Sequence, residues 1–346
     1  MILVSKGVSL KNVGADIADV ASESGWVVRP VSAIASPHDV ISIADAAIIV
    51  MPVNPVAAAP YMLLARDLRV RKFPVVYYGP VEGRPSPLAI QKWMLGSFPI
   101  VAPSEYVRDK LVEVGFGVVD VVRHGVNLRL VERSKPYFAM ARNKVRRGLE
   151  NKVVFGTVAF YHVRKGLERL ADAIRLVTQE VKDVHFIIVT TDRGRLKLGD
   201  LPNTTIETAF GARSRQEVFA WYSALDWVII PSLAEGFGLP LIEANAVGAP
   251  VIHNALPPLM EITDETVNIV FQFDNVYEKN VGDGIVYEMH DYNPERLAKA
   301  ILKAYDETVN ARDEYVERKK RAIEHARRYD IRKLYPHLLK LLSEVT

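Results

Sequence analysis

Glu235 and Glu243 are two carboxylates with seven residues between them, and two of those seven are Gly236 and Gly238. A carboxylate on an otherwise buried helix needs a partner, and a pair of ligand hydroxyls would serve. The free N–H groups of a glycine loop that opens a helix can hold an anion such as a diphosphate. A second set of chemical residues is Arg164-Lys165-Gly166. Two cations beside a glycine, at the end of a strand and the start of a helix, can clamp the same kind of anion. A third set is Glu82 and Arg84, on a loop shaped by Gly79-Pro80. The histidines suggest no catalyst. His162 reads as a local hydrogen-bonding residue, and His38, His290, His325 and His337 read as surface residues. His124 falls in a turn, His185 opens a strand and His253 ends one.

The elements that must position these residues can be read from hydrophobic periodicity. In the first half, strands are expected at Met1–Val4, Trp26–Arg29, Ala46–Met51, Pro74–Tyr78, Ile100–Ala102 and Val118–Arg123. Helices are expected at Lys11–Glu23, Ala57–Arg69, Pro87–Leu95 and Glu105–Val114. The pattern breaks around 126–151, where a basic segment reads as a linker plus one helix. A second series follows, with strands at Lys152–Val158, His185–Val189, Thr205–Glu207, Asp226–Ile230, Pro250–His253 and Asn268–Phe271. Its helices are Lys165–Val181, Ser214–Tyr222, Pro240–Val247 and Pro294–Val309, and two more close the chain at Ala311–Arg328 and Ile331–Glu344. Such alternation predicts an α/β protein of two doubly wound parallel-sheet (Rossmann-like) domains facing a cleft. The expected boundaries are 1–130, a linker at 131–150, 151–328, and a C-terminal helix in 329–346 that can pack back on the first domain. In this layout Glu235 follows a strand and Glu243 lies on the next helix, with Pro240 in its first turn and Gly248 past its end.

The string Ser232-Leu-Ala-Glu-Gly-Phe-Gly-Leu-Pro-Leu-Ile-Glu-Ala resembles the donor-site motif of family 4 of the GT-B glycosyltransferases, the retaining group 1 transferases. The resemblance implies that Glu235 meets the transferred sugar and that Glu243 meets the ribose hydroxyls of the nucleotide. It also places Gly236, Phe237, Gly238 and Leu239 along the donor. Lys165-Gly166 resembles the family's phosphate-binding pair. The family's arginine a few residues earlier is absent near Ala159, so either Arg164 takes its role or Lys165 acts with helix dipoles alone. Phe210-Gly211 resembles the segment that presents main chain to the base. Arg123-His-Gly-Val-Asn127 resembles the turn that leads to the hinge. Many members carry a histidine after the strand corresponding to Pro74–Tyr78. Here Glu82 and Arg84 stand nearby instead, as substitutes touching a sugar hydroxyl or the acceptor, or as an exposed charged loop.

The 346 residues suit two domains. Half-apolar composition and a net charge of +3 give no case for nucleic acid. The absence of cysteine removes disulfides, cysteine-ligated zinc and thiol catalysis. No Asp-X-Asp pair and no Gly-X-Gly-X-X-Gly occurs, which disfavours a metal-bridged donor and a dinucleotide oxidoreductase. Together with these absences, the resemblance implies a retaining, metal-independent hexosyl transfer with no cofactor. The donor is a nucleoside-diphosphate sugar, and the acceptor is a glycan, a lipid-linked molecule or a small molecule. A non-catalytic nucleotide-sugar or glycan-binding subunit and a sugar-nucleotide epimerase are the alternatives. The start, Met1-Ile-Leu-Val, reads as a strand without a signal-peptide layout, so a cytoplasmic location is expected. Met62, Leu63 and Leu64 with Arg66, Arg69, Arg71 and Lys72 form an apolar stripe with a basic margin. That stripe fits packing on its own sheet, or peripheral contact with the inner membrane face.

Overall fold

The computed structural model describes residues 1–32 and 36–344, so the last two residues of the expected 329–346 segment lie outside the described residues. The first domain is built from β1 (Ile2–Ser5), α1 (Val8–Glu23), β2 (Arg29–Val31), α2 (Pro37–Ile43), β3 (Ala47–Val50), α3 (Ala59–Val70) and β4 (Val75–Tyr78). It continues with β5 (Gly83–Pro85), β6 (Ile100–Ala102), α4 (Glu105–Glu113) and β7 (Val118–Val121). Six of these strands form one parallel sheet in the order β2-β1-β3-β4-β6-β7. Strands β1, β3 and β4 are buried along their whole length, the pattern of a sheet covered on both faces.

Helices α5 (Leu128–Ser134) and α6 (Phe138–Val145) lead into the second domain. That domain contains β8 (Val153–Val158), α7 (Leu167–Glu180), β9 (Val184–Val189), α8 (Asp192–Leu198), β10 (Thr204–Glu207), α9 (Arg215–Ser223) and β11 (Trp227–Ile230). Then come α10 (Leu239–Ala246), β12 (Val251–Asn254), α11 (Pro257–Met260), β13 (Ile269–Phe271), β14 (Asn275–Asn280), β15 (Ile285–Asp291), α12 (Pro294–Asn310), α13 (Arg312–Ala326) and α14 (Ile331–Glu344). The second parallel sheet runs β10-β9-β8-β11-β12-β13. Two doubly wound α/β domains thus face one another.

Several elements depart from the sequence expectation. No α-helix forms over Pro87–Leu95, which holds a turn and one 3₁₀ turn at Lys92–Met94. Its entry is tied across the cleft, where Ser86 N–H donates to Gly284 O (2.9 Å), and Pro85 and Pro87 withdraw two donors. Strand β2 starts at Arg29 rather than Trp26, because Trp26 N–H still bonds back to Ala21 O of α1. His290 and His325 are buried rather than at the surface. The His290 ring stands edge-on to Phe273, and His325 Nδ1 pairs with Asn245 Oδ1 (2.9 Å). Met62 and Leu64 of α3 are buried against their own sheet. Leu63 of that stripe is exposed, as are Val70 and the basic residues Arg69, Arg71 and Lys72.

The elements absent from the sequence reading hold the domains together. Strands β14 and β15 form an antiparallel hairpin of the second domain, and β5 of the first domain adds to it as a third strand through Ile285–Pro85, Val286–Arg84 and Tyr287–Gly83. At Gly83 a Cβ would lie 2.2 Å from Val286 O, so only glycine permits this approach. Glu261, just past α11, accepts hydrogen bonds from Glu105 N–H (2.9 Å) and Tyr106 N–H (2.8 Å), capping α4 of the opposite domain. Ser104 Oγ donates to Gly236 O (2.9 Å). Two chain segments cross between domains side by side. Val126 N–H donates to Tyr329 O (2.8 Å), and Ile331 N–H donates to Val126 O (3.3 Å). After this crossing, α14 lies on α1, and its Ile331, Tyr335, Leu338 and Leu342 complete the core around Leu3, Ile17 and Ile48.

Candidate active site

In the second sheet the strand order reverses between β8 and β11, and ligands of doubly wound sheets bind beyond the carboxyl ends of strands at such a point. The loop after β8 carries Arg164 and Lys165, and the loop after β11 carries Glu235. The first loop tightens into a 3₁₀ turn at Val163–Lys165 and ends on Gly166, whose φ of 61° opens α7. A Cβ on Gly166 would lie 1.9 Å from Pro231 O. Glycine is thus required twice, for its conformation and for the closeness of the two loops. The loops are stitched together by Leu233 N–H donating to Arg164 O (2.7 Å), while Tyr292 Oη donates to Pro231 O (2.7 Å).

Their side chains form a chain of alternating charge. Lys165 Nζ is 2.5 Å from Glu235 Oε1, which also accepts from Ser232 Oγ (2.7 Å). Arg164 Nη1 is 3.4 Å from Glu235 Oε2, and its Nη2 is 2.9 Å from Glu82 Oε1 of the first domain. Burial pushes the Glu235 carboxyl up, but Lys165 and Arg164 more than offset it and hold it below the usual range. The remaining crevice beside Lys165 and Glu235 has a volume of only about 20 Å³. Both cations are thus neutralised by protein carboxylates, one of them supplied across the cleft.

A larger cavity of about 340 Å³ adjoins this crevice through Val158, Tyr222 and Pro240, which border both. Glu243, Phe210 and Gly211 line it, together with Ser9 and Asn12 of α1 from the first domain. Glu243 is the only charged residue of α10 and points at this space. Its nearest cation is Arg215, with Nη2 at 3.8 Å, beyond hydrogen-bond reach. Burial pushes the Glu243 carboxyl up to about 7; Arg215 opposes the rise and Asp16 adds to it. Arg215 Nη1 is held at 2.6 Å by Oδ1 of Asp16, a buried carboxylate of α1.

The structure brings Glu235, Lys165, Arg164 and Glu82 into one cluster, and Glu243, Phe210 and Gly211 around one cavity. Leu239 borders a side recess next to Glu243. Gly236 lies against the first domain, where a Cβ would be 2.8 Å from Val81 O. Gly238, at φ 100°, caps α10 and packs on Leu259. The Phe237 ring is buried edge-on against His124 (5.1 Å) instead of lining the cavity. Arg84 is turned away from the cluster and tied to Glu113 (2.7 Å) and Glu278 (2.8 Å). The sequence reading missed Asp16 and Arg215. Asp16 had a signal, since it shares the buried face of α1 with Val13, Ile17 and Val20. Arg215 had none, because it follows Ser214 in a capping box that reads as solvated.

Residues 151–307 match the family model described as "Glycosyl transferases group 1". The chain is 28% identical over 347 residues to the uncharacterized glycosyltransferase 335 of Sulfolobus islandicus rod-shaped virus 1, covering 98% of this chain and 99% of the relative. The crystal structure of Anabaena Alr3699/HepE in complex with UDP and glucose superposes with a TM-score of 0.69 at 15% identity, covering 99% of each chain. Sucrose-phosphate synthase from Thermosynechococcus elongatus superposes with a TM-score of 0.69 at 15% identity, covering 100% of this chain and 99% of that one. The chain has the GT-B fold and is related to the group 1 glycosyltransferases.

Proposed function

We propose that this protein is a retaining, metal-independent glycosyltransferase that moves a hexose from a nucleoside-diphosphate sugar to a glycan, a lipid-linked acceptor or a small molecule. The observation that carries this reading is Glu243. It is a largely buried carboxylate without a hydrogen bond among the described residues, facing a cavity of about 340 Å³ one step from the Lys165–Glu235 pair. The cavity would take the nucleoside, with its ribose on Glu243 and its base near Phe210 and Gly211. The diphosphate would then reach Lys165 and Arg164. It would displace Glu235 and Glu82 from those cations and free Glu235 to accept from sugar hydroxyls. Glu82, on the first-domain side, would touch the sugar or the acceptor. As the bond from the anomeric carbon to phosphate oxygen breaks, negative charge grows on the leaving diphosphate, and the two cations stabilise it there. The acceptor oxygen bonds to the same face of that carbon and gives its proton to the departing phosphate. Among the described residues, no three His, Asp or Glu side chains gather where they could hold a metal.

The test is turnover with a mixture of nucleotide sugars, read as release of free nucleotide. Release that depends on acceptor and persists in chelator supports the reading. Interconversion of sugars would reveal an epimerase, and binding without turnover a non-catalytic subunit. Glu243→Ala should weaken nucleoside-diphosphate binding by about 10- to 100-fold, the loss of one charge-assisted hydrogen bond. Calorimetry giving unchanged affinity in a folded variant would remove Glu243 from the site. Replacing Arg164 and Lys165 together by alanine should lower donor affinity and turnover alike, and normal donor affinity would put the diphosphate elsewhere.

A further inference from the structure

We propose that Arg215 reads a ribose hydroxyl of the donor and that Asp16, from the opposite domain, aims it to do so. The proposal rests on the reading of the 340 Å³ cavity as the nucleotide pocket. Arg215 is the first residue of α9 and borders that cavity. Its Nη1 is engaged by Asp16. Its Nε is buried without an acceptor, and its Nη2 stops 3.8 Å short of Glu243 Oε1. A guanidinium has only donors to offer and an ionised carboxylate only acceptors. A group seated between the two must therefore both accept from Arg215 and donate to Glu243. A phosphate oxygen would accept from Arg215 but repel Glu243, and a base carbonyl has no proton to give. A hydroxyl does both, and one oxygen can stand at about 2.8 Å from each end of the 3.8 Å gap. In a nucleoside diphosphate the ribose carries such hydroxyls.

Asp16 fixes the direction of this arginine. Its side chain is 2% exposed and also accepts from Asn127 Nδ2 (3.1 Å). Asn127 lies where the chain leaves the first domain, and its Oδ1 accepts from Arg332 Nη1 (3.2 Å) on the returning segment. The guanidinium of a second-domain helix is therefore aimed from α1 of the first domain, braced by both crossing segments. Asp16 touches no ligand in this arrangement and is a positioning residue.

The experiment is calorimetry on the full chain. The nucleoside diphosphate that binds best among UDP, GDP, ADP and CDP is compared with its 2′-deoxy and 3′-deoxy forms. The intact protein should bind one deoxy form at least about tenfold more weakly, as sites built around a hydroxyl reject analogues that lack it. Arg215→Gln should lower that ratio by weakening the ribo form while leaving the deoxy form nearly unchanged, and the discrimination that remains is the bond the hydroxyl still gives to Glu243. Asp16→Asn should lower the ratio part of the way. A merely structural role would weaken both forms equally and keep the ratio. A full ratio in folded Arg215→Gln, or no discrimination by the intact protein, overturns the proposal. Failure of all four diphosphates to bind the intact protein would instead overturn the nucleotide-pocket reading on which it rests.

Discussion

At the residue scale, the two glutamates with seven residues between them behave oppositely because their neighbours differ. Glu235 is held below the usual carboxylate range, since Lys165 and Arg164 outweigh its burial. Its stabilising contribution is present above that range and is lost as pH falls through the lowered value. Glu243 is pushed up to about 7 by burial, with Arg215 opposing and Asp16 and Tyr222 as its other titratable neighbours. In the empty protein, between the ordinary range and about 7, the folded state keeps a proton that the unfolded chain has lost. The contribution of Glu243 to stability therefore declines as pH rises through that window. In the proposed function ribose hydroxyls donate to the ionised form, so donor binding should expel this proton. Affinity for an intact nucleotide sugar, whose phosphates do not titrate near neutrality, should fall by up to about tenfold per pH unit below 7. Calorimetry across that range measures it, and Glu243→Gln should flatten the profile. An equally steep profile in the variant would assign the proton to another group.

At the element scale, the cap on α4 is the simplest quantity to test. Glu261→Ala removes the acceptor of two backbone N–H groups at that helix start, a loss of about 1–2 kcal/mol. Denaturant unfolding should register it, and unchanged stability would mean that water or Ser104 caps α4 equally well. Much of this architecture was legible in the chain. The apolar run Trp227–Ile230, the glycines at 236 and 238, and Pro240 spell strand, loop and helix, and the two domains follow from repeating that pattern. The strap between domains was not legible, for a physical reason. Strand β14 is exposed along nearly its whole length and shows no apolar alternation. Strand β5 is three residues containing a glycine and a proline, which read as a turn. Such strands are held by pairing with a partner far along the chain, and local sequence does not encode that partner. The partner of Glu82 was hidden for the same reason, since the contact with Arg164 exists only across the cleft.

At the scale of the whole molecule, the shared three-stranded sheet ties the two domains together. Gly83→Val would force a side chain into Val286 O and open this seam. Small-angle scattering should then report a larger radius of gyration, and amide exchange at Ile285–Asp291 should quicken. An unchanged radius would show that the other contacts across the cleft, among them the crossing segments, the Glu261 cap and the Asp16–Arg215 and Glu82–Arg164 pairs, hold the domains closed. The return of α14 to the first domain bears on how the chain is made. A ribosome releases β1, β3 and β4 long before Ile331–Leu342 exists. The nascent first domain must therefore wait with Leu3, Ile48 and Tyr78 incompletely covered until α14 has been made. A chain cut just before residue 331 would strip a domain whose own sequence is intact, so the first domain's core depends on a segment more than three hundred residues away from β1.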